Sequence, residues 1–143
     1  MTNPYERDVV AWAQEQAFWL RSGDYTLVDA QHVAEEIDGV NTRWQHMLCD
    51  RCAELLAHLA RWRGQEGNRC QLWQRLIELQ RQRIHRMLIR MPSLRESLYG
   101  RELLEDAWLD ALLKVAGEHN CFDLPDASPW PMAQVLDQDF FPD

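Results

Sequence analysis

The apolar residues Val33, Ile37, Val40, Trp44, Met47, Leu48, Cys52, Leu55, Leu56, Leu59 and Trp62 recur at steps of three and four without a break in phase. Only an α-helix, with 3.6 residues per turn, keeps such a series on one face. At 1.5 Å per residue the run predicts roughly 45 Å of helix, longer than a small domain is wide. Gly39 is its weak point, costing about 1 kcal/mol against alanine in a helix interior. Because the apolar phase survives it, the expectation is one continuous or kinked helix.

The same period organises the rest of the chain. Asn3-Pro4-Tyr5-Glu6 supplies a cap residue, a proline suited to the first helical position and a capping acid. Tyr5, Val9, Trp12, Gln16, Trp19 and Leu20 then share a face, predicting a first helix over residues 4–22, closed by Gly23. Residues 63–67 read as a loop. Asn68 and Gln71 suggest a second capping box, ahead of a third helix with Leu72, Trp73, Leu76, Ile77, Ile84, Met87 and Leu88 on one face and Pro92 at its end. Ser93 and Glu96 suggest another, opening a fourth helix through Leu94, Leu98, Leu104, Trp108, Ala111 and Val115. So short a turn makes the third and fourth helices antiparallel neighbours. The tail from residue 124 onward carries Trp130, Val135, Leu136, Phe140 and Phe141 between prolines. It is too apolar to hang free and is expected to lie across the helices, with one or two helical turns at 132–137. No segment alternates with period two. The predicted fold is all-α: a single domain over residues 1–143, a bundle of four main helices with a Pro/aromatic C-terminal strap.

Size agrees with this reading, since 143 residues with 46% hydrophobic content suit one ordinary domain with its own core. The longest stretch without a charged residue is ten residues, 127–136, against the roughly 18 of a membrane span, so no membrane partner is expected. With no apolar leader at the N-terminus, Cys49, Cys52, Cys70 and Cys121 read as reduced thiols, and the expected compartment is a bacterial-type cytoplasm.

The net charge of −8 is segregated. Residues 1–60 hold 4 Arg against 10 acids, residues 61–101 hold 10 Arg against 3 acids, and residues 102–143 hold one Lys against 10 acids. A basic segment between acidic ones either packs beside them and is neutralised, or turns a positive face to an anionic partner. On the third helix Arg75, Arg83, Arg86 and Arg90 share a flank while Arg81 points elsewhere. Arranged outward, these four arginines form a candidate binding site for an anionic partner, with steep salt dependence if that partner is a nucleic acid.

Several signatures coincide along the chain: Tyr5-Glu6-Arg7-Asp8 with Ala11-Trp12-Ala13, Val33-Ala34-Glu35-Glu36-Ile37, and Leu56-Ala57-His58-Leu59-Ala60-Arg61-Trp62. Downstream come Arg81-Gln82-Arg83-Ile84, Pro92-Ser93-Leu94, Pro129-Trp130, Gln134-Val135-Leu136-Asp137 and Asp139-Phe140-Phe141-Pro142. In this order and spacing the chain resembles the bacterial family called domain of unknown function 29 over nearly its whole length. The resemblance implies an all-helical single-domain protein and carries no activity with it. One departure is Leu79, where an acid would be expected before the Gln80-Arg81 pair.

Catalytic chemistry finds little support. Helical bundles hold di-iron centres through Glu-x-x-His motifs, and none occurs. The nearest substitutes are Asp29-x-x-His32 with Glu36, and the ladder His46, Asp50, Glu54, His58, read here as a solvated, self-paired face rather than a zinc site. Cys49-Asp50-Arg51-Cys52 lacks both the strand-to-helix setting of a redox motif and a second pair for zinc, so packing is the expected role. His119-Asn120-Cys121 evokes a cysteine protease only superficially, because that triad does not assemble from neighbours in sequence. Trp12, Trp44, Trp62, Trp73 and Trp108 lie on apolar stripes and are expected in the core, and Trp130 is expected to pin the tail.

These readings converge on a non-enzymatic helical module with no metal or cofactor, which binds a protein partner or self-associates through the wide stripe of the long helix. Nucleic-acid or phosphate binding through the arginine flank is the alternative. A small metal-dependent enzyme using His32 and Glu36, or Glu54 and His58, comes third.

Overall fold

The computed structural model describes residues 4–118 and 123–143. Among these residues every regular element is helical. The four long helices are α1 (Val9–Ser22), α2 (Ala30–Gly64), α3 (Gln71–Arg90) and α5 (Arg101–Ala116), with single turns α4 (Arg95–Leu98) and α6 (Met132–Val135). The chain separates into two compact units, Met1–Arg43 and Trp44–Asp143, and α2 contributes to both.

In the first unit, α1 begins at Val9, later than the sequence suggests. The Pro4 carbonyl accepts from the N–H groups of Arg7 and Asp8 to make a turn. Asp8, extended at φ −149°, then caps the helix, its carboxylate accepting from the Ala11 N–H at 3.0 Å. The proposed cap Asn3 lies outside the described residues. Gly23 closes α1 in the left-handed region at φ +79°, a conformation that lets the Gly23 and Asp24 N–H groups satisfy the last carbonyls. The helix α2 runs through Gly39 without interruption.

Among its described residues this unit buries only Trp12 and Gln16, and it is joined largely by polar contacts. Trp12 Nε1 donates to Asp29 Oδ2 at 3.1 Å, and the Asp29 N–H donates to Gln16 Oε1 at 2.6 Å. The hydroxyl of Tyr5 donates to Glu36 Oε1 at 2.5 Å.

The second unit holds the hydrophobic core. Between Leu48 and Ala60 the helix α2 buries Cys52, Leu55, Leu56 and Leu59 together with Ala53, Ala57 and Ala60, so it is covered on nearly all sides. Ile77, Ile84, Met87 and Leu88 of α3 close on it, with Ala107, Trp108, Ala111 and Val115 of α5. Lys114 pairs with Glu54 at 2.7 Å and Glu118 with Arg61 at 2.5 Å, so α5 ascends alongside α2 in the same direction. After the short link at 65–70, α3 runs against both.

Two sequence expectations change here. Asn68 sits in a 3-10 turn (Glu66–Asn68) and donates to Gln65 Oε1, so it does not cap α3; the N-cap is Cys70, with no side-chain hydrogen bond. The fourth helix is broken: Pro92–Leu94 is a 3-10 turn, α4 follows, and the chain restarts as α5 after Gly100. The Gly100 N–H bonds the Ser97 carbonyl, and a Cβ there would approach that oxygen to 3.1 Å. Glycine lets the chain turn out and begin a new helix at Arg101.

The strap lies over this core as expected. Trp130 is buried, edge-on to Trp108 at 6.0 Å, beside buried Met132 and Val135. Trp108 Nε1 donates to the Pro125 carbonyl at 3.0 Å. Of the tryptophans expected in the core, Trp12 and Trp108 are buried and Trp62 and Trp73 half-buried. Trp44 is exposed, one turn before the buried run of α2 begins at Leu48.

Candidate functional site

In the first unit, α1 and the N-terminal half of α2 enclose a shallow groove of about 290 Å³. Ala13, Ala17 and Leu20 line one wall and Val33, Ile37 and Val40 the other, with Glu36 and Arg43, 3.7 Å apart, at its edge. The spacing 33, 37, 40 is the alternation of four and three that lets two helices mesh. Its apolar side chains are poorly covered: Ile37 is 65% exposed and Leu20 and Val40 each 42%. Val10 and Phe18 add exposed apolar surface on α1.

Beside the groove, Asp29 accepts from His32 at 2.7 Å from Nδ1, while His32 Nε2 stands 3.5 Å from Glu6. Tyr5 stacks on the imidazole at a centroid distance of 4.2 Å. The Asp29 hydrogen bond raises the His32 pKa, and the same bond lowers that of Asp29. An imidazole steered by a carboxylate is a common catalytic arrangement, but Asp29 here also accepts from Trp12 and from the His32 N–H, tying α1 to the start of α2.

The arginines Arg75, Arg83, Arg86 and Arg90 of the second unit are all exposed on α3. Arg75 pairs with Glu78 of its own helix at 3.4 Å. Among the described residues Arg83, Arg86 and Arg90 have no acid within 4 Å, so the neutralisation weighed above does not reach them. Leu72 and Leu79 are exposed on the same stripe. Sequence reasoning missed Arg51 of α2, whose Nε is buried without a partner. Burial, and then the like charge of Arg83, lower its pKa. Only packing brings these two guanidinium groups near one another, since 32 positions separate them in the sequence.

Arg81 faces away from this stripe, as its helical phase suggests. It is only 5% exposed and donates to three backbone carbonyls of the strap, from Nε to Val135 at 2.9 Å, Nη1 to Gln138 at 3.5 Å and Nη2 to Phe140 at 2.6 Å. Its guanidinium also lies 5.3 Å over the Phe141 ring.

The other candidates are put to structural use. Glu54 is taken by Lys114, so the ladder on α2 is bridged to another helix rather than self-paired. Burial, with Arg61 next, lowers the pKa of His58. Among the described residues no three His, Cys, Asp or Glu side chains converge as metal ligands would. Cys52 is buried and Cys49 half-buried, and burial pushes their thiols up to about 12 and about 11. These are packed, unreactive thiols. His119, Asn120 and Cys121 lie outside the described residues.

The described architecture is that of an all-α protein with an apolar groove, an arginine stripe and no helix long and apolar enough to cross a membrane. The chain belongs to the family described as domain of unknown function DUF29, whose profile covers residues 4–141 of 143. No curated protein and no solved structure matches it significantly.

Proposed function

We propose that this chain is a helical interaction module that associates with a second copy of itself through the groove of its first unit. The observation that carries the reading is the exposure of Leu20, Ile37 and Val40 around an apolar groove that α1 fails to cover. Contiguous uncovered apolar surface marks contact sites, and self-complementary pairing of one patch is the commonest route to an oligomer. The test is sedimentation behaviour across a concentration series by analytical ultracentrifugation, for the wild type and for Ile37→Glu with Val40→Glu. A dimer that the double substitution converts to a folded monomer supports the reading. A wild type that stays monomeric at about 100 μM, where an association of micromolar strength would be nearly complete, overturns it.

A second reading rests on Arg83, Arg86 and Arg90, which carry no ion pair among the described residues and could meet the phosphates of a nucleic acid. Its signature is a linear fall of log affinity with log salt on heparin and duplex DNA, abolished by reversing the three arginines to glutamate. The net charge of −8 opposes long-range attraction to such a partner, which favours the first reading.

A further inference from the structure

A cavity of about 590 Å³ in the second unit opens along a flank of α3 away from the arginine stripe and runs under the C-terminal strap. Its apolar wall is Ile84, Leu88 and Leu136, and Arg81, Arg95 and Tyr99 stand around it. We propose that this cleft binds a small amphipathic organic acid, its carboxylate held by Arg81 and Arg95 and its apolar body laid against Ile84, Leu88 and Leu136.

The charge argument begins with Arg81. Its guanidinium is buried and has no carboxylate within 4 Å among the described residues; Asp137 and Glu78 act on it only from beyond that distance, and burial outweighs them, so it has three carbonyl partners but no contact ion pair. A buried cation whose nearest acids stand beyond contact distance keeps part of its desolvation cost, and an anion entering beside it relieves that cost. Two of the five guanidinium N–H groups remain after the strap carbonyls are served. Arg95, which the turn at Pro92–Leu94 brings back beside the last turns of α3, is exposed and likewise has no ion pair among the described residues. Both are arginines, whose planar fork suits a carboxylate.

The acids of the cleft limit what the anion can be. Glu78 is engaged by Arg75 and Gln74, but Asp139 also lines the cavity and bears no ion pair among the described residues. With two acids among the lining residues, a single negative charge is accommodated and a phosphate dianion is disfavoured. The volume falls within the range of small-molecule sites, which join mainly apolar walls to a few polar anchors. The proposal is independent of the groove in the first unit.

The test uses the full chain and 3-phenylpropionate as probe, with 3-phenylpropan-1-ol as the uncharged control, followed by amide chemical shifts. Expected is saturable binding of the acid, with shifts centred on His85, Leu88 and Tyr99, and at least ~10-fold weaker binding of the alcohol. Arg95→Ala, at an exposed position, should weaken the acid at least ~10-fold and leave the alcohol unchanged. Equal affinity for acid and alcohol, an unchanged affinity in Arg95→Ala, shifts centred on Leu20 and Ile37, or no saturable binding would each overturn the assignment.

Discussion

Arg81 donates from Nε to the carbonyl of Val135 at 2.9 Å, tying the middle of α3 to a strap 54 positions further along the chain. With Nη1 on Gln138 and Nη2 on Phe140, one guanidinium serves three carbonyls that helix or sheet bonding would otherwise satisfy.

Arg81→Leu strips those carbonyls of their donor. The expected loss is about 2–4 kcal/mol, in the range for a buried charged hydrogen-bonding group removed from its partners. Thermal unfolding should show it as a drop of about 2–4 °C per kcal/mol, and limited proteolysis should cut the strap sooner. A loss below about 0.5 kcal/mol would mean that Trp130, Met132 and Val135 hold the strap without the arginine.

Gly39 lies inside the uninterrupted α2, and a Cβ there meets only the tip of the Arg43 side chain at 3.5 Å, an ordinary contact. Gly39→Ala should therefore stabilise the protein by about 0.5–1 kcal/mol, read from the urea midpoint at unchanged slope. A destabilised variant would show that α2 needs freedom at this point.

His32 and His58 should titrate on opposite sides of an ordinary imidazole in an NMR pH series. The Asp29 bond raises the pKa of His32, so its contribution to stability is complete below the unfolded imidazole value near 6.5 and is lost as pH rises through the folded value. Asp29, lowered by the same bond, contributes above the unfolded value near 4 and loses that contribution as pH falls through its folded value. The pair therefore supports the first unit best between about pH 4 and 6.5. His58, lowered mainly by burial, acts oppositely in the second unit: protonation below about pH 6.5 favours the unfolded chain. Replacing Asp29 with Asn should return His32 toward its ordinary value and leave His58 in place.

Cys70 is exposed, whereas Cys49 and Cys52 are packed with thiols pushed up to about 11 and about 12. Alkylation at pH 8 followed by peptide mapping should mark Cys70 at least ~100-fold faster than either, since only the thiolate reacts. Comparable rates at Cys49 would show that α2 and α5 separate readily around it.

Much of this molecule can be read from periodicity alone. The eleven apolar positions from Val33 to Trp62 require one helix, and the helix runs through Gly39 because a single glycine costs less than interrupting so long a series. Pro92 ends α3, and the apolar tail lies on the core, for equally local reasons. The starts of helices were less legible. Asp8 displaced the expected cap because several residues near a helix start can serve that purpose and the turn at Pro4 selects among them. Gly100 divided the fourth helix between Leu98 and Leu104, where the apolar series steps by six rather than by three or four.

The sequence by itself determined the helical class, the long α2 and the segregation of arginines, since each depends on spacing or composition along one element. Tertiary structure decided which apolar residues are covered. Leu48 and Leu55 vanish into the core while Ile37 and Val40, on the same stripe of the same helix, face outward. It also decided that Arg81 is buried against the strap while Arg83, two residues on, is exposed near Arg51. Periodicity gives a residue's direction around its own helix; whether a neighbour stands there depends on the path of the rest of the chain.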